Sequence, residues 1–540
     1  MSVLPAQHPR NLARLMVLEE VLMKMVRSYS MAWLMTQFIA LMVTVPILHV
    51  RAAEGAAGEQ KVRPAAVAGA FYPADPQELS KMIDDMLAKA TPPPVDGTII
   101  AAVAPHAGYP YSGPVAAWTY AALKGHKYSR VVVIAPSHYV AFDFTSVYDG
   151  DAYTTPLGQV PVDKEFARRL AKMSSTMQLS DKGHQATADA PEHSVEVELP
   201  WLQKILGKFE LVPIVMGDQS YESSRALGVA LAKMLRNDHD TLVLASSDLS
   251  HYHPYADAES IDHKTLHALE VYDYYSMSRN FQWRGQGEPG IWEACGGAPI
   301  VAAMIYAERL GANKAEVLKY ANSGDITGDK SRVVGYSADL FVKTTHAADA
   351  AVPFSLTDPE KAELLALARK SVEYMIQNKE PYAPTAPASE TLNREYGAFT
   401  TLTEGGALRG CIGYTSPTKP LYMTVRDTAT LAALRDPRFA PVSAAELPKL
   451  AYEISVLSPL RRVTDVEQIK VGRDGLIMKN GDYEGLLLPQ VPVEQNWDRE
   501  TFLGQTCAKA GMEQSCWRDE NTDIFSFTAV VFNEKAGNRE

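Results

Sequence analysis

At 540 residues the chain is longer than a single hydrophobic core usually serves, so two or more domains are expected. Its 64 acidic side chains against 52 Lys and Arg leave a formal charge of -12, and no basic cluster stands beyond residue 60, which excludes a surface built to displace counterions from nucleic-acid phosphate. Four cysteines over this length exclude a disulfide-built scaffold.

In chain order, Met31 to Leu48 is almost uninterruptedly apolar and follows Lys24 and Arg27, the layout of an export signal; Val50-Arg51-Ala52 then offers a small-residue cleavage site. Residues 1–52 are expected to carry the chain out of the cytoplasm, leaving 53–61 as the mature N-terminal segment. The alternative is an uncleaved anchor, since residues 31–48 just reach across a bilayer core of about 30 Å. Either way the bulk is expected to be periplasmic, secreted, or held on the outer side of a membrane.

From Pro64 to about Thr345, apolar β-rich runs alternate with amphipathic helical stretches, the pattern of an α/β sheet covered on both faces. Strands are expected at Thr98 to Ala104, Arg130 to Ala135, Phe209 to Val215, Thr241 to Ala245 and Arg332 to Phe341, and helices at Glu78 to Ala88, Pro114 to Leu123, Lys164 to Lys172, Ser223 to Leu235 and Pro299 to Leu310. A domain over 62–345 would end in a linker at 346–353. Thr357-Asp-Pro-Glu then supplies an N-cap, opening a second, α+β domain over 354–535 with a short tail at 536–540.

The chemistry lies where the strands end. Thr98 to Ala104 runs into His106, Arg130 to Ala135 into Ser137-His138, and Thr241 to Ala245 into Asp248 and His251. Ligands bind at that edge of parallel α/β sheets, and neutral imidazole is the commonest metal ligand. Cys295 precedes Gly296-Gly297 at the start of a helix, where backbone N–H groups favour a thiolate. Between them, Glu192-His193-Ser194-Val195-Glu196-Val197-Glu198 places His193 and Glu196 on one helical face, with a carboxylate available as acid or base. Any one of these residues alone would by default be structural. Four loops together shift that balance, while Tyr109 and Tyr111 would by default be packing aromatics.

The segments APHAGYPYSGP (104–114), APSHYV (135–140), EHSVEVELPWL (192–202), SSDLSHY (246–252) and CGGAPI (295–300), in this order, closely resemble the Memo family. That resemblance implies a fold similar to the class III extradiol dioxygenases, with a mixed, largely parallel sheet and helices on both faces. It also implies a metal set of His106, His138 and Cys295, with His193, Asp248 and His251 in catalytic positions and Tyr109, Ser137 and Glu192 lining a substrate pocket. The dioxygenases use two histidines and a carboxylate; a cysteine in the third place softens the site and admits copper as well as the favoured Fe(II), and redox chemistry or metal handling is expected ahead of ring cleavage.

In the second half, FTTLTEGGALRGCIGYTSPTKPL (399–421), ALRDPRFAPVSAAELPKLAYEISVLSPL (433–460) and LLLPQVPVEQNWDRETFLGQTCAKAG (486–511) resemble the AMMECR domain. Its combination with a Memo-like half implies the AmmeMemoRadiSam system and a link to a radical-SAM protein. Arg409 beside Cys411 forms a second candidate site, in which the cation could activate the thiol; the bland alternative is a structural cysteine in a tight sheet corner. Cys507 and Cys516 are the pair expected to form a disulfide. The leading expectation is a metal-dependent oxidoreductase; the alternative is a non-catalytic scaffold whose pocket holds a small molecule or peptide.

Overall fold

The computed structural model describes residues 60–281, 293–344, 355–415 and 419–534. The export or anchor segment expected over 1–52, the linker 346–353 and the tail 536–540 lie outside them. Among the described residues, no helix is long and apolar enough to cross a membrane.

The apolar runs form the strands Thr98–Ala104, Arg130–Pro136, Glu210–Met216, Thr241–Ser246 and Val333–Lys343. They are apolar throughout because both faces are covered. Alternate residues such as Val132 and Ile134 enter one core with Leu231 and Met304, while Val131 and Val133 enter another with Tyr120 and Trp201. Side by side the order is Val333–Lys343, Thr98–Ala104, Thr241–Ser246, Arg130–Pro136, Glu210–Met216. The last four are mutually parallel and the first is antiparallel to them. Strands His251–His253, Lys314–Asn322, Thr145–Tyr148 and Met177–Ser180 complete a mixed nine-stranded sheet. The three parallel strands that end at His106, Asp248 and His138 are therefore direct neighbours, and their loops emerge side by side.

The helix expected from Pro114 starts earlier, as Tyr109–Leu123. Pro110 presets the backbone in its first turn, and the Gly108 carbonyl accepts from Ser112 N at 3.1 Å.

The second module is α+β. Its antiparallel sheet runs Ala407–Tyr414, Ala398–Glu404, Leu450–Leu457, Asp523–Asn533, Asp474–Asn480, Tyr483–Leu487. Helices Asp358–Asn378 and Leu421–Leu434 cover part of it, with Leu364, Val372 and Val425 against Ala398 and Leu402. Thr357 caps the first of these helices in a capping box with Glu360. The expected Cys507–Cys516 disulfide is present.

The modules share a core. Tyr221, Tyr274 and Tyr275 of the first pack with Leu460, Phe525 and Phe527 of the second, and Tyr275 stacks on Phe525 at 4.7 Å between ring centroids. Asp523, only 2% exposed, accepts from Tyr221 Oη at 2.8 Å, Arg225 Nε at 2.5 Å and Arg309 Nη2 at 3.1 Å. Arg462 pairs with Glu308 at 2.7 Å, and Tyr274 donates to the same carboxylate at 3.0 Å.

Asp339 on Val333–Lys343 is fully buried; it accepts from Ser337 Oγ at 2.7 Å, and among the described residues its Oδ1 meets no hydrogen-bond partner. Burial pushes it up to about 7. Its raised value means the folded chain keeps a proton that the unfolded chain releases, so stability falls as pH rises from the normal carboxyl range toward 7. Asp262 and Asp273, buried and pushed up to about 6, add to the same slope. Asp339→Asn is expected to make thermal stability decline less steeply between pH 4 and 7, measured by circular dichroism melts; an unchanged slope would remove Asp339 as its source.

Candidate metal centre

The loops after Thr98–Ala104, Arg130–Pro136 and Thr241–Ser246 bring His106, His138 and Asp248 together, and the turn before helix Gly297–Arg309 adds Cys295. That turn can approach because residue 296 is glycine: a Cβ there would strike the Ser246 carbonyl and the Ser247 side chain.

Two overlapping groups of donors result. Ligand atoms of His106, His138 and His193 all lie within 4.8 Å of one another, as do those of His106, Asp248 and Cys295. His106 belongs to both. Its Nε2 is 3.2 Å from Cys295 Sγ and 3.9 Å from Asp248 Oδ2. His138 and His193 stack at 4.7 Å between centroids, with His106 edge-on to both.

Each ligand candidate is held from behind. Burial, then the neighbouring imidazoles of His138, His193 and His251, hold His106 well below the usual histidine range. Glu192 Oε2 accepts from His138 N at 2.7 Å, and Oε1 meets His138 Nδ1 at 3.0 Å. The same Oε1 accepts from His193 N at 2.8 Å and Ser194 N at 3.0 Å. Although burial opposes charge at both groups, the Cys295 sulfur and then the Glu192 carboxylate raise His138 to about 10, and Glu192 itself is pulled down to about 2, chiefly by its bonds with His138. His193, by contrast, is lowered to about 4 by burial and then by His138. Asp248 Oδ1 accepts from His106 N at 2.9 Å and Ala107 N at 3.2 Å, while burial pushes its carboxyl up to about 7.

The other expected site residues fall into place unequally. His251 Nδ1 is 2.9 Å from the Leu249 carbonyl, which can only accept, so Nδ1 carries the proton; the ring is close enough to act electrostatically on His106. Ser137 Oγ donates to the Val140 carbonyl at 2.6 Å, a turn-forming contact. Glu192 is occupied in orienting His138 and shaping the His193 turn. Tyr109, expected in the substrate pocket, is instead fully buried: its hydroxyl donates to the Val197 carbonyl at 2.8 Å and its ring packs on Tyr72 and Trp201. Glu196 does not work beside His193 as the helical reading suggested. Glu196–Glu198 is a single 3-10 turn, and Glu196 instead receives Arg63 Nη1 at 2.6 Å and the backbone N–H groups of Ala66 and Val67.

At the second candidate, Cys411 is partly buried; Thr401 Oγ1 donates to its sulfur at 3.3 Å and Asp436 accepts from its N–H at 2.8 Å. The Arg409 guanidinium is engaged by Glu446 at 2.8 Å. Among the described residues, no imidazole hydrogen-bonds the thiol, whose side-chain partner is Thr401.

Sequence reasoning missed the layer behind His106. Ser246 Oγ lies 2.8 Å from His106 Nδ1 and 2.8 Å from Glu198 Oε1, and Tyr120 closes on Glu198 Oε2. The available signal was the charge at Glu198 in the otherwise apolar stretch Val197 to Leu202.

A family model described as Memo-like protein matches residues 63–340, and one described as AMMECR1 matches residues 365–532. MEMO1 family proteins of Methanopyrus kandleri and Methanocaldococcus jannaschii are each 38% identical over 52% of this chain and 98% and 99% of their own lengths. An uncharacterized protein from Pyrococcus horikoshii, known as a crystal structure, is 41% identical over 34% of this chain and 95% of its own, with a TM-score of 0.33. The matched half contains every member of both donor groups, and the chain belongs to the Memo-like family, with an AMMECR1 domain following in the same polypeptide.

Proposed function

We propose that this protein is a metal-dependent redox protein in which His106, His138 and Cys295 hold a transition metal, Fe(II) ahead of copper, as in the dioxygenase-like site its motifs resemble. The observation that carries the reading is the clustering of donor atoms from five separate segments within 4.8 Å in two groups that share His106. The residues fit such a group chemically. Two imidazoles and a thiol suit a borderline-soft cation, and among the described residues the buried His193 Nδ1 meets no hydrogen-bond partner. When bound, the metal would supply Lewis acidity and electron transfer.

The chain's own groups do the rest. Glu192 fixes the ring of His138, Asp248 anchors the backbone at His106, and the buried carboxyl of Asp248 and imidazole of His193 can hold or accept a proton at neutral pH. An exported location belongs to the same reading and is supported by the Cys507–Cys516 disulfide, which persists in oxidising compartments. So does a working link with a radical-SAM protein.

Metal content of the mature chain, purified without oxygen, tests the site. We expect near-stoichiometric iron or copper in the wild type and loss of most of it in His106→Ala and Cys295→Ser variants that remain folded. Equal metal in wild type and variants would refute the site. A scaffold reading draws on the exposed rings of Tyr139 and Tyr252, 46% and 62% exposed, beside His193 and His251. It requires that ligand capture survive His106→Ala.

A further inference from the structure

We propose that Ser246 and a protonated Glu198 are positioning residues, which hold His106 with its proton on Nδ1 and its Nε2 lone pair facing Cys295.

The assignment follows from counting hydrogens in a sealed network. Tyr120, Glu198 and Ser246 are fully buried and His106 is 1% exposed, so bulk solvent does not reach these groups. Ser246 Oγ has three neighbours: the Ser194 carbonyl at 2.6 Å, His106 Nδ1 at 2.8 Å and Glu198 Oε1 at 2.8 Å. A hydroxyl offers one hydrogen and two lone pairs. The carbonyl can only accept, so the hydroxyl hydrogen goes there. Both lone pairs must then accept, one from His106 Nδ1–H and one from a proton on Glu198 Oε1. Glu198 Oε2 accepts from the Tyr120 hydroxyl, so each hydrogen of the Tyr120, Glu198 and Ser246 side chains meets an acceptor.

Were Glu198 ionised, Ser194 and Glu198 would compete for one hydrogen and a buried acceptor would go without. No basic side chain pairs with Glu198 among the described residues, so nothing offsets a buried negative charge there; burial pushes the group up to about 8, with Asp248 adding to the shift against the Tyr120 and Ser246 hydrogen bonds. The contrast with His138, whose Nδ1 meets the ionised Glu192, is chemical: one imidazole is backed by an anion and made more basic, the other by a neutral hydroxyl.

The inference concerns the site proposed above, but its first test needs no metal. Infrared difference spectra of the metal-free chain at pH 6, wild type minus Glu198→Gln, should show the carbonyl stretch of a protonated carboxylic acid that shifts in D2O. Histidine 15N spectra, with His106 assigned by its loss in His106→Ala, should show Nδ1–H, lost as the dominant tautomer in Ser246→Ala. A carboxylate band in place of the acid band, or an Nε2–H tautomer in the wild type, would overturn the proposal.

Co(II) titration then separates positioning from packing. Glu198→Gln keeps a donor for Ser246 and an acceptor for Tyr120, so it should stay within about threefold of wild-type affinity. Ser246→Ala should weaken binding about 10- to 100-fold while circular dichroism stays native. Equal weakening by both variants would also overturn the proposal. If wild type binds no Co(II), the metal reading fails while the spectra still decide the proton assignment.

Discussion

Replacing Asp523 by alanine is expected to cost about 3 kcal/mol and to uncouple the two modules, because breaking a buried ion pair strands the remaining charge. The carboxylate takes hydrogen bonds from Tyr221, Arg225 and Arg309, and its removal leaves two guanidinium groups without that counter-charge. The arginine side chains are 17% and 21% exposed, so some solvation returns and the cost belongs at the lower end of what a fully buried pair would show. Asp523→Asn keeps an acceptor but not the charge and should cost less. Calorimetry is the suitable measurement. A wild-type melt with one transition should become two in Asp523→Ala, the second module unfolding first as it loses its share of the common core. A single transition at the wild-type temperature would show that the apolar contacts alone hold the modules together.

Loss of Glu196 should be costlier, about 4 kcal/mol, since Arg63 is 3% exposed at the side chain and Glu196 is fully buried. Glu196 collects Arg63, Tyr72 Oη and the N–H groups of Ala66 and Val67, so Glu196→Ala orphans four donors. Arg63 would keep its bonds to the carbonyls of His184, Gln185 and Glu192 but not its counter-charge. Urea unfolding checks the magnitude. Replacing both partners, Arg63→Met with Glu196→Leu, should recover much of the loss, since an apolar pair avoids the stranded charge. Because Glu196 sits three residues after His193 and Arg63 bonds the Glu192 carbonyl, the single variant should also loosen the turn that presents His193. A fall in stability below 1 kcal/mol would contradict the account.

These two pairs show why part of the molecule was legible and part was not. The five buried strands were readable because a strand covered on both faces needs apolar residues at every position, which leaves an unbroken run in the sequence. The ordered strand-end motifs singled out His106, His138, Asp248 and Cys295, since a ligand-binding edge announces itself where an apolar run gives way to imidazole, thiol or carboxylate. Local capping at Thr357 and the Cys507–Cys516 pair depend on near neighbours and were equally plain.

The three glutamates of Glu192 to Glu198 were not. In one dimension they are alike, spaced along what reads as a helix. In the fold, Glu192 orients His138, Glu196 binds Arg63, and Glu198 backs His106 through Ser246. Tyr109 was misplaced for the same reason, because adjacency to His106 does not say which way the ring points. The sequence by itself determined which residues can bind, acidify or cap, and where strands must be buried. Only the tertiary structure decided which partners each carboxyl meets and how far it is desolvated, since those depend on distances between segments 48 to 133 residues apart, and electrostatic energies inside a protein change steeply over a few ångströms.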